Sequence, residues 1–311
     1  METLLLQSLT LDGKEVPLST VACFRYIEAI EAIVSTAELW LENSGPIDEV
    51  GHLAEMTATL QLEKTRAALQ EDQSIRTLKM VLIRSTSDPD ALQRKRLIFI
   101  HKESLELLKK HQLILPSATP EMILSKLYAG AATKIHPQLP AVPFHCLHER
   151  PVVPLNAYLA EMACGTYLQD GVIQFDYLHA LDQQERAMEF TTIHSGFGVA
   201  TKVRYIDQDF LSTTLMDAQP FEVDLVDGAT PTTSAPIHQR TSNELVRRRS
   251  TETLLPAIDF QTSLTLRVHA GASIEVNEQP YVVSRACWQV YRNQGTLRIL
   301  GALPYSHLTV N

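Results

Sequence analysis

The chain has 311 residues, 27 Lys+Arg against 36 Asp+Glu for a formal net charge of −9, and 45% hydrophobic content. This is a globular composition, sufficient for about two domains of roughly 150 residues each, and it excludes intrinsic disorder. A net acidic chain also argues against sequence-independent nucleic-acid binding, which needs a basic surface to displace counterions. No apolar run approaches the roughly 18 residues that span a bilayer. The opening METLLLQSLTLDGKEV has neither a basic n-region nor a cleavage site. The expectation is cytoplasmic folding without a membrane span, wherever the protein later acts. Cys23, Cys146, Cys164 and Cys287 form no C-x-x-C pair and read as free thiols of a reducing compartment.

In chain order, residues 18–128 read as helical. Cys23, Ile27, Ile30, Val34, Ala37 and Leu41 recur at three- and four-residue steps. Ser19 or Thr20 would cap that helix and Ser44-Gly45-Pro46 would stop it. A second helix is expected from His52 to Gln70 with Leu53, Met56, Leu60 and Ala67 on one face. A third is expected over 74–85 and a fourth over 87–110, carrying Leu92, Leu97, Ile100, Leu105 and Leu108. Thr119-Pro120 opens a short helix, because proline suits a first helical turn. Five prolines between 137 and 154 suit neither a helix nor a central strand, so a connector is placed there.

After the connector, two helical stretches (155–168 and 177–188) precede short β-branched runs. The expected strands are Thr191–Ile193, Lys202–Tyr205, Thr262–His269, Tyr281–Val283, Trp288–Arg292 and Thr296–Leu300. Residues 228–253 read as a long loop. The expected fold class is α+β, with a helical domain over 1–136, the connector over 137–154 and an α+β domain over 155–311.

His145-Cys146-Leu147-His148 has metal-ligand residue types, but a zinc site needs two more ligands at suitable spacing; no metal is expected. Arg247-Arg248-Arg249 reads as a solvated basic run. His194-Ser195-Gly196-Phe197-Gly198 lets backbone approach a ligand closely, but lacks the spacing of a dinucleotide-binding turn or a hydrolase elbow.

Combined with Phe210-Leu211-Ser212-Thr213-Thr214, that segment resembles mono-ADP-ribosyltransferases, whose Ser-Thr-Ser strand follows a histidine- or arginine-bearing strand end. Leu264–Gly271 resembles the family's strand after its variable insert. Cys287-Trp288-Gln289-Val290-Tyr291 through Gly295-Thr296 resembles its Glu-x-Glu strand and following turn. The resemblance covers about 150–305. It implies an ADP-ribosyltransferase-like antiparallel β core with NAD as substrate and a protein target as partner. In that reading His194, Gly196, Phe197, Thr213 and Thr214 bind NAD, Phe197 or Tyr205 stacks on nicotinamide, and Ser212 orients the catalytic strand.

Gln289 stands where the family has its catalytic glutamate, and Cys287 precedes it by two positions. An amide cannot supply the missing charge, a loss commonly worth on the order of 100–1000-fold in rate. Glu275 and Glu278 are the carboxylates nearest in sequence. The resemblance thus implies a transferase of effector or toxin type delivered into a host cell. Two alternatives stand beside it: an inactive interaction module of the same fold, and a structural or assembly protein of unrelated fold.

Overall fold

A computed structural model describes residues 3–42, 51–63, 75–88, 91–190, 203–205, 252–262, 266, 268–291 and 294–306. Where helices were expected at the N-terminus, the chain runs as strands: β1 (Thr3–Leu11), β2 (Lys14–Glu15), β3 (Val21–Ala29), β4 (Ser35–Glu42), β5 (Glu55–Glu63), β6 (Ile75–Asp88) and β7 (Ala91–His101). The helical N-terminal domain, and with it the α+β fold class, is overturned in favour of a mostly β architecture. The reason lies in the period of burial. Along β4, Ser35, Ala37, Leu39 and Leu41 are buried while Thr36, Glu38, Trp40 and Glu42 are half-buried, an alternation of two. The apparent helical stripe joins residues of two strands and their turn: Cys23 and Ile27 lie on the outer face, whereas Ala37 and Leu41 lie in the core.

The middle of the chain forms β8 (His111–Ala118), α1 (Pro120–Leu127), β9 (Thr133–Ile135), β10 (Val142–Glu149), α2 (Val152–Glu161), β11 (Cys164–Gln169) and β12 (Val172–Tyr177). The short helix expected after Thr119-Pro120 is α1, with Pro120 in its first turn and the Thr119 side chain accepting from the Met122 N–H at 3.4 Å. Helix α2 covers only part of the stretch expected over 155–168. Ala163, at φ 50°, turns the chain into β11. The expected 177–188 helix is a 3-10 segment, Leu178–Gln183, that leads to a strand. The proline-rich stretch 137–154 holds β10 and the start of α2.

The remaining described strands are β13 (Arg186–Phe190), β14 (Val203–Tyr205), β15 (Glu252–Thr262), β16 (Ser273–Val276), β17 (Gln279–Tyr291) and β18 (Gln294–Ser306). A 13-stranded sheet runs β14-β15-β18-β17-β3-β4-β7-β6-β5-β1-β2, with β16 joining β17 to β13. The two ends of the chain therefore meet in one sheet. Strand β1 lies against β17 and β18, and one core holds Leu9, Phe24, Leu39, Phe99, Trp288 and Ile299 from strands across the sheet. Among the described residues, three tight turns have positive φ at both central residues: Asp12-Gly13, Asp170-Gly171 and Asn277-Glu278. That is the type I′ geometry matching the twist of the strands they join.

A second core packs α1, α2, β8, β10, β11 and β12 together. The β3–β4 hairpin tip reaches into it. Ala32 and Val34 are fully buried there, the Ala32 N–H donates to Asn156 Oδ1 at 3.2 Å, and Thr166 Oγ1 donates to the Glu31 carbonyl at 2.8 Å. The Tyr128 hydroxyl donates to the Ala32 carbonyl, and burial pushes its pKa well above the usual tyrosine value. These bonds satisfy the backbone of a turn that would otherwise bury unpaired polar groups.

Candidate functional site

Polar chemistry collects on the outer face of β15, β18, β17, β3 and β4. Register places Gln289 opposite Arg25 on one side and Thr296 on the other, with Cys287 opposite Ile27 and Arg298. These side chains bound a groove of about 460 Å³ together with Asp259 and Arg285. Arg25 organises its centre. Its Nε and Nη2 donate to Gln289 Oε1 at 3.4 and 3.3 Å, and its Nη1 donates to Glu38 Oε2 at 3.2 Å. Glu38 also accepts from Arg96 Nη2 at 2.6 Å. The Arg25 and Arg96 guanidiniums stand 5.1 and 5.3 Å from the Trp40 ring centroid, within cation–π range.

At the other end Arg298 grips Asp259 with Nε and Nη2, at 2.8 and 2.5 Å, in the fork geometry that suits a carboxylate. Arg285 Nη2 donates to Glu31 Oε1 at 2.9 Å. Burial raises the Cys287 thiol pKa, opposed by the nearby Arg25 and Arg298 charges. A thiol held in its neutral form is a poor nucleophile. Gln289, expected as a catalytic residue, is here an acceptor held by a guanidinium. The groove is equipped to bind carboxylates and planar polar groups.

Beneath the sheet a second polar cluster is buried. Glu28, 2% exposed, accepts from the Tyr26 hydroxyl at 2.9 Å, Arg76 Nη1 at 2.7 Å and the Ala270 N–H at 3.4 Å. Arg76 Nη2 also donates to the Leu266 carbonyl at 2.9 Å, and its guanidinium lies 5.0 Å from the Trp288 ring centroid. Burial, and then the Glu28 charge, drive the Tyr26 pKa well up. A cavity of about 410 Å³ adjoins the cluster, bounded by Ser35, His101 and the Asp170-Gly171 turn. His101 Nδ1 stands 2.9 Å from Glu103 Oε2. Burial holds the His101 pKa below its ordinary value, against the opposing pull of Glu103 and Glu28. The Glu28 carboxylate is committed to internal partners, so this cluster fixes the fold.

Of the other residues singled out in the sequence, His194, Gly196, Phe197, Ser212, Thr213, Thr214 and Arg247–Arg249 lie outside the described residues. The backbone of Tyr205 pairs with Ile258 at the β15 edge. Glu275 forms an ion pair with Arg186 at 2.8 Å, and Glu278 sits in a turn. The pleat of β10 sends His145 and Leu147 outward and Cys146 inward, where its thiol donates to the Glu149 carbonyl at 3.3 Å. Among the described residues, no three His, Cys, Asp or Glu side chains gather as a metal site, and no helix is long and apolar enough to cross a membrane. Sequence reasoning missed Arg25, Trp40, Arg285 and Arg298. Their signal is the alternation of charged and apolar residues along each strand.

No protein-family model matches this sequence, and no curated protein does. Solved structures do match the fold. A tail protein from Neisseria meningitidis MC58 aligns at a TM-score of 0.58 and 9% identity, over 97% of this chain and 96% of that one. The 43 kDa tail protein of prophage MuSo2 from Shewanella oneidensis aligns at 0.57 and 10%, over 97% and 98%. The E. coli c3393 protein, a type VI secretion component with structural similarity to the T4 tail proteins gp27 and gp5, aligns at 0.54 and 14%, over 96% and 77%. Two of these neighbours are tail proteins and the third a type VI secretion component; none is an ADP-ribosyltransferase. The resemblance to the transferase family is overturned, and the NAD cofactor and the effector or toxin role fall with it. The Cys287–Tyr291 stretch shares residue types with that family but lies in β17, between β18 and β3. The fold of this chain is similar to that of these tail and type VI secretion proteins.

Proposed function

We propose that the chain is a structural subunit of a phage-tail-like or type VI secretion assembly, and that its partners are other protein subunits of that particle. One observation carries the reading: the fold likeness runs over 97% of this chain and 96–98% of the length of two tail proteins, leaving no large part of either unmatched. The sheet supports it physically. A continuous core stiffens a broad outer face that carries Trp40 beside Arg25 and Arg96, the residue types that dominate protein–protein hot spots. On this reading the chain reaches the outside of the cell as part of the particle.

The test is to delete the gene in the cells that encode it and image tail-like particles by electron microscopy. The expected outcome is loss or truncation of the particles, restored by a plasmid copy, with the chain present in purified particles by mass spectrometry. Intact particles lacking the chain would overturn the reading.

A further inference from the structure

We propose that a slot beside β6 takes an extended peptide segment of a partner protein as an added strand. That the partner is a neighbouring subunit of a particle rests on the assembly reading; the strand-binding slot itself does not.

The slot begins where β7 ends. Strand β7 flanks β6 only as far as the pair Met80–His101, whereas β5 goes on pairing with β6 down to Gln61–Ile75. After His101 the chain leaves the sheet as a 3-10 segment, Lys102–Leu108. Among the described residues, then, Ile75–Lys79 have a strand on one side and none on the other. The cavity of about 410 Å³ lies on that open side, against His101, Ser35 of β4, and Tyr26 and Glu28 of β3. Every residue of β6 from Ile75 to Met80 lines it. Side chains of a strand alternate between its faces, so consecutive residues line one cavity only where it runs along the backbone edge.

The ladder fixes which backbone groups face the slot. The Leu82 N–H donates to the Ala54 carbonyl at 2.9 Å and the Leu82 carbonyl accepts from the Leu53 N–H at 3.1 Å, both on the β5 side. Backbone groups alternate sides along an antiparallel strand, and the β5–β6 register is unbroken from Glu55–Val81 to Gln61–Ile75. Arg76, Leu78 and Met80 therefore face β5, and Ile75, Thr77 and Lys79 turn their N–H and C=O groups into the slot. A row of this kind is a template for one more strand.

Width and lining select the occupant. The order β4-β7-β6 sets β4 and β6 two strand spacings apart, about 10 Å, so the slot is one strand wide. A single extended segment fits it, and the sheet edge of a second copy, which carries further strands, does not. Ser35, 1% exposed, lines the slot with an Oγ that meets no hydrogen-bond partner; the Tyr26 hydroxyl beside it gives its proton to Glu28. An inward-facing Ser or Thr of the added strand satisfies that oxygen. Glu28 and Arg76 are paired with each other, which favours an uncharged segment. Ile75, 55% exposed, offers an apolar contact to a side chain on the outer face.

The test uses the full chain and a fluorescein-labelled Thr-Val-Thr-Val-Thr-Val peptide, followed by anisotropy. The comparison probe is the same peptide N-methylated at its two central residues, which removes a donor from each of its edges. The first should bind, and the second should bind about tenfold more weakly. Thr77→Pro removes an N–H that faces the slot and not β5, so it should weaken binding about tenfold while the sheet is kept. Thr77→Val should bind as wild type does. Hydrogen exchange supplies the second readout. In the free chain the amides of Ile75, Thr77 and Lys79 should exchange fast and those of Arg76 and Leu78 slowly. In particles that carry the chain, the first three should slow about tenfold. The proposal is overturned by absence of binding at millimolar peptide or by equal binding of the N-methylated probe. Slow exchange at all five amides in the free chain also overturns it, because the chain then fills its own slot. Self-association that Thr77→Pro abolishes, measured by light scattering, would make a second copy the occupant and overturn it too, as would unslowed exchange in particles. If circular dichroism shows Thr77→Pro unfolded, the N-methylated probe decides. Peptide binding by a chain that is missing from particles overturns the subunit reading and leaves the slot standing.

Discussion

Arg76 and Glu28 meet at 2.7 Å, with the carboxylate 2% exposed and the guanidinium also set over Trp288. One side of this pair comes from β3 and the other from β6, so it ties distant strands of the sheet together. Removing one partner leaves the other charge buried and uncompensated, a loss of about 3–5 kcal/mol. Arg76→Ala is expected to destabilise by that amount in urea denaturation. Glu28→Leu combined with Arg76→Met should recover most of it, because the apolar pair strands no charge.

The Tyr128 hydroxyl and the Asn156 amide hold the two polar groups of one residue, Ala32, at the point where the hairpin enters the second core. Tyr128→Phe is expected to cost about 1–3 kcal/mol, since the Ala32 carbonyl is left buried without its donor. Hydrogen exchange supplies a local check. Asn156→Ala should speed exchange at the Ala32 amide far more than at the core of β17.

Gly271 combines a φ of +87° with the Tyr167 ring 2.6 Å from where a Cβ would stand. An alanine there meets both backbone strain of about 1–3 kcal/mol and an aromatic ring with little room to move. Gly271→Ala is expected to lower the denaturation midpoint by more than the backbone cost alone. Adding Tyr167→Leu should return part of the difference, which separates the collision from the strain.

Burial lowers the His101 pKa below its unfolded value of 6.5. The folded state therefore binds this proton less readily than the unfolded one, so stability is full above pH 6.5 and is lost as pH falls towards the folded value. Thermal melts from pH 7.5 to 5 should show this component in wild type and not in His101→Gln. The stability advantage of wild type over the variant should shrink on acidification. An advantage independent of pH would rule out the mechanism.

A period-two signal is present in the N-terminal half, although those residues read as helical. Met56, Ala58 and Leu60 alternate with Thr57, Thr59 and Gln61, and the buried set is the first of these. The Asp12-Gly13 and Asp170-Gly171 dipeptides carry the type I′ turn signal. The helical reading arose because Ile27, Ile30 and Val34 fall on both sides of a hairpin, where period two is interrupted and three- and four-residue steps arise by coincidence. Of the strands expected over Lys202–Tyr205, Tyr281–Val283 and Trp288–Arg292, the described residues lie in β14 and β17, because β-branched and aromatic residues crowd a helix and fit a pleated surface.

By itself the sequence determined that α1 begins at Pro120 and that Tyr281–Val283 is extended, since each depends on dihedral preference and neighbours a few residues apart; that residues 21–101 run as strands and not as helices was decided by the tertiary structure. Only the tertiary structure decided that β3 pairs with β17. That pairing sets Arg25 against Gln289, 264 positions away, and aligns Arg285 and Arg298 with them in a single groove. Alternation assigns a side chain to a face of its own strand and leaves the neighbouring strand unspecified. Register across a long chain closure is fixed by the shared core, where Phe24, Tyr26 and Trp288 must be buried together.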